Sequence, residues 1–260
     1  MALAAAAALS ACGGGEAPTT DAEASASPSA GPRQGTVEFD GTTVGYVCFG
    51  EGSPALMLEA GTGTAGTRSF PAPFIDPIAA VTTVCTYDRL GTSAASSQPP
   101  DDVRSLDDLV AVLDGAIGAL GLEPPVIVGG QSGGGNIAIA YAEAHPDKVA
   151  GLVTIDSYHD DPAKMKAEQD AGGFVWQEDP EHMDWVQASV EQDAYAMPFG
   201  EFPVLVISAT QADTGGPQNQ AFWLAISPDS EQVVVEGPHD LQFANPEGTS
   251  APIVALVSGR

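Results

Sequence analysis

The chain predicts an α/β domain built on a parallel sheet with helices on both faces. Two observations carry that expectation. First, short unbroken apolar runs such as Val126-Ile127-Val128 and Val204-Leu205-Val206-Ile207 recur between helical stretches. Strands covered on both faces read as continuous apolar runs, not as alternation. Second, one of these runs enters Gly130-Gln131-Ser132-Gly133-Gly134 and then a helical segment. Glycines at such a strand-to-helix turn permit a strained backbone and close approach of its flanks. With 260 residues the chain is long enough for one full core.

The elements follow in order. Residues 36–40 and 42–49 alternate about Asp40-Gly41, a hairpin signal. Residues 54–59 and 81–88 read as the third and fourth strands. Ser105 caps a helix that runs to about residue 120, with Asp107 and Asp108 in its first turn. Residues 126–130 form the strand before the glycine turn, and 136–142 the helix after it. Strands at 149–156, 203–209 and 232–236 follow, with a helix near 218–226 and a last helix at 252–257. Between 157 and 202 the rhythm breaks. That stretch is acidic and carries Met165, Trp176, Met183 and Trp185. It fits two short amphipathic helices, either a lid over the strand ends or a solvated insertion with its own small core.

The first residues stand apart. Residues 1–11 are dominated by Ala and Leu, and Leu9-Ser10-Ala11-Cys12 resembles a bacterial lipobox, in which Cys12 is lipidated. No Lys or Arg precedes Cys12, which departs from the usual leader. The apolar run is too short to span a bilayer. Residues 12–35, rich in Gly, Ala, Pro, Ser and Thr, predict a disordered tether. The expected domain is 36–260, with the membrane met through a lipid anchor only. Cys48 and Cys85 remain as an even pair, and export favours a disulfide over two free thiols.

Thirty-five acidic against eight basic residues give a net charge of −27. Phosphate backbones would be repelled, so nucleic acid is excluded as a partner, and anionic substrates are disfavoured. No Cys/His cluster with metal spacing is present, and neither metal nor cofactor is expected. The chain is expected to be a monomer.

Ser132, in its Gly-x-Ser-x-Gly turn, is the nucleophile candidate. A serine hydroxyl needs a positioned base. Four histidines are available. His145 ends the helix after the turn and reads as structural. His159 and His182 lie in or beside the 157–202 stretch, and His239 follows the last strand. Asp88-Arg89 reads as a structural ion pair fixing the loop after the fourth strand, with a catalytic pair as the alternative.

Taken together, Leu58-Glu59-Ala60-Gly61-Thr62-Gly63, Cys85-Thr86-Tyr87-Asp88-Arg89-Leu90-Gly91, the Ser132 turn and Ala144-His145-Pro146-Asp147-Lys148-Val149 resemble the α/β-hydrolase family, in particular its secreted bacterial members. The resemblance covers residue 35 to the end. It implies a mostly parallel eight-stranded sheet with helices on both faces and a small helical lid. It implies the chain order nucleophile, acid, histidine, which selects His239 as base. It implies an oxyanion hole from the backbone N–H groups of Gly133 and of Thr62, where Ala60-Gly61 stands in place of the family's usual His-Gly. It also makes the second and fourth strands neighbours, bringing Cys48 and Cys85 within disulfide reach.

The acid stays divided between Asp156, at the end of the 149–156 strand, and Asp213, on the loop after 203–209. The chemistry expected is carboxylic ester cleavage through an acyl-enzyme, acting on a small molecule. An aminopeptidase-like amide hydrolase, with the acidic stretch holding an ammonium group, is the alternative. A catalytically idle ligand-binding lipoprotein of the same fold is a further one.

Overall fold

The computed structural model describes residues 1–2, 31–173, 175–211 and 216–259. Cys12, Asp213 and most of the segments expected as a leader (1–11) and a tether (12–35) lie outside the described residues.

The chain begins with strands β1 (Arg33–Phe39), β2 (Thr42–Phe49) and β3 (Leu56–Glu59), then helices α1 (Gly66–Ser69) and α2 (Ala72–Ala79). Strand β4 (Val84–Tyr87), helix α3 (Leu106–Ala119), strand β5 (Val126–Gln131), helix α4 (Gly133–Ala144) and strand β6 (Val149–Ile155) follow. Helices α5 (Pro162–Asp170) and α6 (Trp185–Asp193) precede strand β7 (Val204–Ala209) and helix α7 (Gly216–Gln220). Strand β8 (Ser230–Val235) and helices α8 (Leu241–Ala244) and α9 (Pro246–Val257) close the chain.

The eight strands form one sheet in the order β1-β2-β4-β3-β5-β6-β7-β8. β1–β2 and β2–β4 are antiparallel, and every other pairing is parallel. This is the fold class the apolar runs predict. Those runs exist because successive residues face opposite layers, and both layers are covered. In β7, Val204 and Val206 join the core under α3 and α4, while Leu205 and Ile207 join the core under α2 and α9. Cys48 pairs with Cys85 in the β2–β4 register, and the two are joined by a disulfide.

Several boundaries differ from the sequence expectation. β1 begins at Arg33, ahead of residue 36, because its pairing with β2 carries the hairpin back to Arg33 opposite Cys48. α4 begins directly after Ser132, since the turn itself is the helix start. α9 begins at Pro246 rather than residue 252. Asn245 caps it by accepting the Gly248 N–H at 3.0 Å, and Pro246 occupies the first helical position, where its missing N–H costs nothing. α3 starts as expected, with a reciprocal capping box between Ser105 and Asp108.

Candidate active site

The carboxyl ends of β3, β5 and β6 converge on one edge of the sheet. At the end of β5, Ser132 takes φ 54° and ψ −131°. A non-glycine residue held there stores strain. Close packing requires the flanking glycines. A Cβ on Gly130 would overlap the backbone of Gly134, and one on Gly134 would overlap the carbonyls of Glu59 and Ala60. Helix α4 thus starts against the end of β3, with its N–H groups gathered beside Ser132.

Asp156 follows β6, fully buried, with φ 48°. Its Oδ1 accepts the Ala209 N–H at 2.9 Å and the Gln220 side-chain N–H at 2.5 Å. Its Oδ2 lies 2.7 Å from His239 Nδ1. Burial pushes the carboxyl up, but the hydrogen bonds from His239, Ala209 and Gln220 outweigh it and hold Asp156 below the usual range. The Tyr158 ring stacks on the His239 ring, with its hydroxyl oxygen 2.6 Å from the same Nδ1. His239 Nε2 stands 3.1 Å from the Gln131 amide nitrogen. Neither Tyr158 nor the Gln131 side chain carries a sequence signal beyond its neighbour in the chain.

Beside Ser132 opens a cavity of about 320 Å³. Thr62, Ser132 and Gly133 form one wall. The lining also includes Trp176, Met183 and Trp185 from the 157–202 insertion, and Trp185 packs against Gly133. Asp160 and Asp179 add two carboxylates. Burial pushes both up, and the Trp185 indole N–H donates to Asp179 at 2.8 Å. The insertion is tied to α4 by a reciprocal amide pair. Asn136 donates to Gln192 Oε1 at 2.8 Å, and Gln192 donates to the Asn136 carbonyl at 2.8 Å.

The expected Asp88–Arg89 ion pair is replaced. Neighbouring residues at a strand end point to opposite sides. Asp88 accepts the Thr67 N–H at 2.8 Å. Arg89, 1 % exposed, pairs instead with Glu59 at 2.9 Å and Glu181 at 2.6 Å. None of the four histidines is among the residues lining the cavity. His145 packs its ring on Tyr141, His159 stacks on Phe222, and His182 Nδ1 meets the Pro100 carbonyl at 2.7 Å. Among the described residues, no cluster of three or more His, Cys, Asp or Glu could hold a metal ion, and no helix is long and apolar enough to cross a membrane.

A doubly covered eight-stranded sheet with a serine on its strand–turn–helix elbow defines an α/β-hydrolase. The sequence profile of the alpha/beta hydrolase fold family matches residues 54–184. The chain belongs to that family. It is 32% identical over 107 residues to "Putative carbamate hydrolase RutD" of Caulobacter segnis, covering 41% of this chain and 39% of that protein. The chain thus spans about two fifths of the curated relatives it matches.

Two solved structures share the fold at low identity. One is a serine hydrolase involved in carbazole degradation (CarC enzyme), with TM-score 0.66 and 21% identity over 88% of this chain and 100% of that one. The other is a thermophilic esterase from Thermogutta terrifontis, with TM-score 0.68 and 18% identity over 87% of this chain and 98% of that one.

Proposed function

We propose that this protein is an exported serine hydrolase that cleaves small carboxylic esters through an acyl-enzyme. The observation that carries the reading is the contact between His239 Nδ1 and buried Asp156 Oδ2, at the same sheet edge as strained Ser132. Ser132 attacks the ester carbonyl. His239 takes its proton at Nε2, the Gln131 amide withdrawing as substrate seats, and returns it to the leaving alcohol. Asp156 fixes the imidazole tautomer and stabilises the imidazolium. The N–H groups of Thr62 and Gly133 receive the developing oxyanion. Water then releases the acid.

The cavity sets the substrate size, and its Trp and Met lining favours an apolar acyl or alcohol group. The 157–202 insertion acts as its lid. The disulfide is consistent with export, and Cys12 is the proposed lipid attachment point.

The test is turnover of chromogenic esters of varied acyl length by the wild type and Ser132→Ala. Loss of about 10³-fold or more in the folded variant supports the reading. Near wild-type turnover in the variant sinks it.

A second reading is an amide hydrolase for amine-bearing substrates, favoured by Asp160 and Asp179 in the cavity wall. The carbamate hydrolase name of the Caulobacter segnis relative points to the same acyl-transfer chemistry. Including an aminoacyl amide and a carbamate in the panel separates the two readings. A binder without activity would turn over none of these substrates.

A further inference from the structure

We propose that Glu181 is a positioning residue: acting with Arg89, it aims the Thr62 N–H at the oxygen of the reacting carbonyl. The proposal rests on the acyl-transfer reading above.

The geometry begins with Arg89. Its Nη1 donates to the Ala60 carbonyl at 2.7 Å, and its Nη2 to the Gly61 carbonyl at 2.9 Å. In a trans peptide the C=O and the following N–H point to opposite sides. Pinning the Gly61 carbonyl toward Arg89 therefore turns the Thr62 N–H the other way. Thr62 lines the cavity with Ser132 and Gly133. The Thr64 N–H and hydroxyl donate to the same Gly61 carbonyl, at 3.2 and 2.7 Å, and lock that peptide plane.

Glu181 holds both ends of this arrangement. Its carboxylate grips Arg89 in a two-pronged pair, Nε to Oε2 at 2.6 Å and Nη2 to Oε1 at 2.7 Å. Its Oε1 also accepts the Gly63 N–H at 2.8 Å, fixing the next peptide of the loop. Arg89 and Glu181 are both essentially inaccessible to water, so the pair keeps its directionality.

Glu181 itself is anchored. The Glu181 N–H donates to Asp179 at 2.7 Å. The Arg104 N–H donates to the His182 carbonyl at 2.8 Å, and the Asp184 N–H to the Arg104 carbonyl at 3.2 Å. Pro180 packs between Gly63 and Gly91, where a Cβ on Gly91 would overlap the Pro180 carbonyl.

The consequence is that the insertion and the oxyanion loop form one unit. The family's usual His-Gly is replaced here by Ala60-Gly61, and the loop's support comes from the Arg89 guanidinium and a carboxylate of the insertion.

The experiment compares wild type, Glu181→Gln and Glu181→Asp. Active sites are counted by burst titration, and kcat and KM for a chromogenic ester are measured per active site. Affinity for an arylboronic acid, a mimic of the tetrahedral intermediate, is measured alongside. The expected result for Glu181→Gln is a fall in kcat per site of about 10²-fold with KM changed by no more than about threefold. Boronate affinity should fall in step with kcat. Glu181→Asp keeps the charge but withdraws it from Gly63, and should fall between.

A purely structural role gives a lowered Tm with unchanged kcat per titrated site, and that result overturns the proposal. If Glu181→Gln does not fold, the same comparison on Glu181→Asp decides it. Absence of ester turnover in the wild type would instead overturn the acyl-transfer reading.

Discussion

His239 Nδ1 lies 2.7 Å from Asp156 Oδ2 across a sequence separation of 83 residues. The contact joins the loop after β8 to the end of β6. The carboxylate end is rigid: Asp156 is fully buried and its other oxygen is held by Ala209 and Gln220. Replacing Asp156 by Asn keeps the shape and removes the charge that orients the imidazole. Ester turnover should fall roughly 10²–10⁴-fold with the fold intact. Circular dichroism and kcat measured together check this.

The same carboxylate gives a pH signature. Its folded pKa lies below the ordinary value, which is about 3.9 in an unfolded chain. A depressed carboxylate contributes stability that is present above the unfolded pKa and is lost as pH falls through the folded one. The stability advantage of wild type over Asp156→Asn should therefore hold at pH 6 and shrink below about pH 4. Urea unfolding at pH 6 and pH 3 measures it. An advantage that grows on acidification contradicts the assignment.

Ser132 occupies a backbone conformation that glycine tolerates better. Ser132→Gly should raise stability by about 1 kcal/mol while abolishing turnover, because strain at the elbow is relieved as the hydroxyl is lost. A destabilised Gly variant would show that the elbow is not strained. Gly134→Ala should do the opposite and cost about 3 kcal/mol, since its methyl would collide with the Glu59 and Ala60 carbonyls. Thermal unfolding of the two variants checks both signs.

The Cys48–Cys85 disulfide closes a sequence separation of 37 residues. Removing such a loop constraint from the unfolded chain costs about 3–4 kcal/mol on the chain-entropy account. The double Cys→Ser variant should unfold at correspondingly lower denaturant than the oxidised wild type. Equal midpoints would contradict a formed bridge.

The sheet was legible because buried strands leave unbroken apolar runs and Asp40-Gly41 marks the first hairpin. Helix α2 was not, because its Pro77 and the prolines that precede it mask the helical period. Asp156 and His239 were legible as candidates from their positions after strand-forming runs. Asp213 lies outside the described residues.

The Arg89 partners were hidden for a different reason. Glu59 and Glu181 lie 30 and 92 residues away, and a pairing across that distance leaves no local pattern. Tyr158 and Gln131 also read as ordinary neighbours in sequence. Only the folded chain sets them against the His239 ring.

The most direct test of the account is covalent labelling with a serine-directed fluorophosphonate, read by peptide mass mapping. One adduct is expected, on Ser132, formed rapidly by the wild type and at least about 10³-fold more slowly by His239→Ala. Failure of Ser132 to label in the folded wild type, or labelling at an unchanged rate without His239, would contradict it.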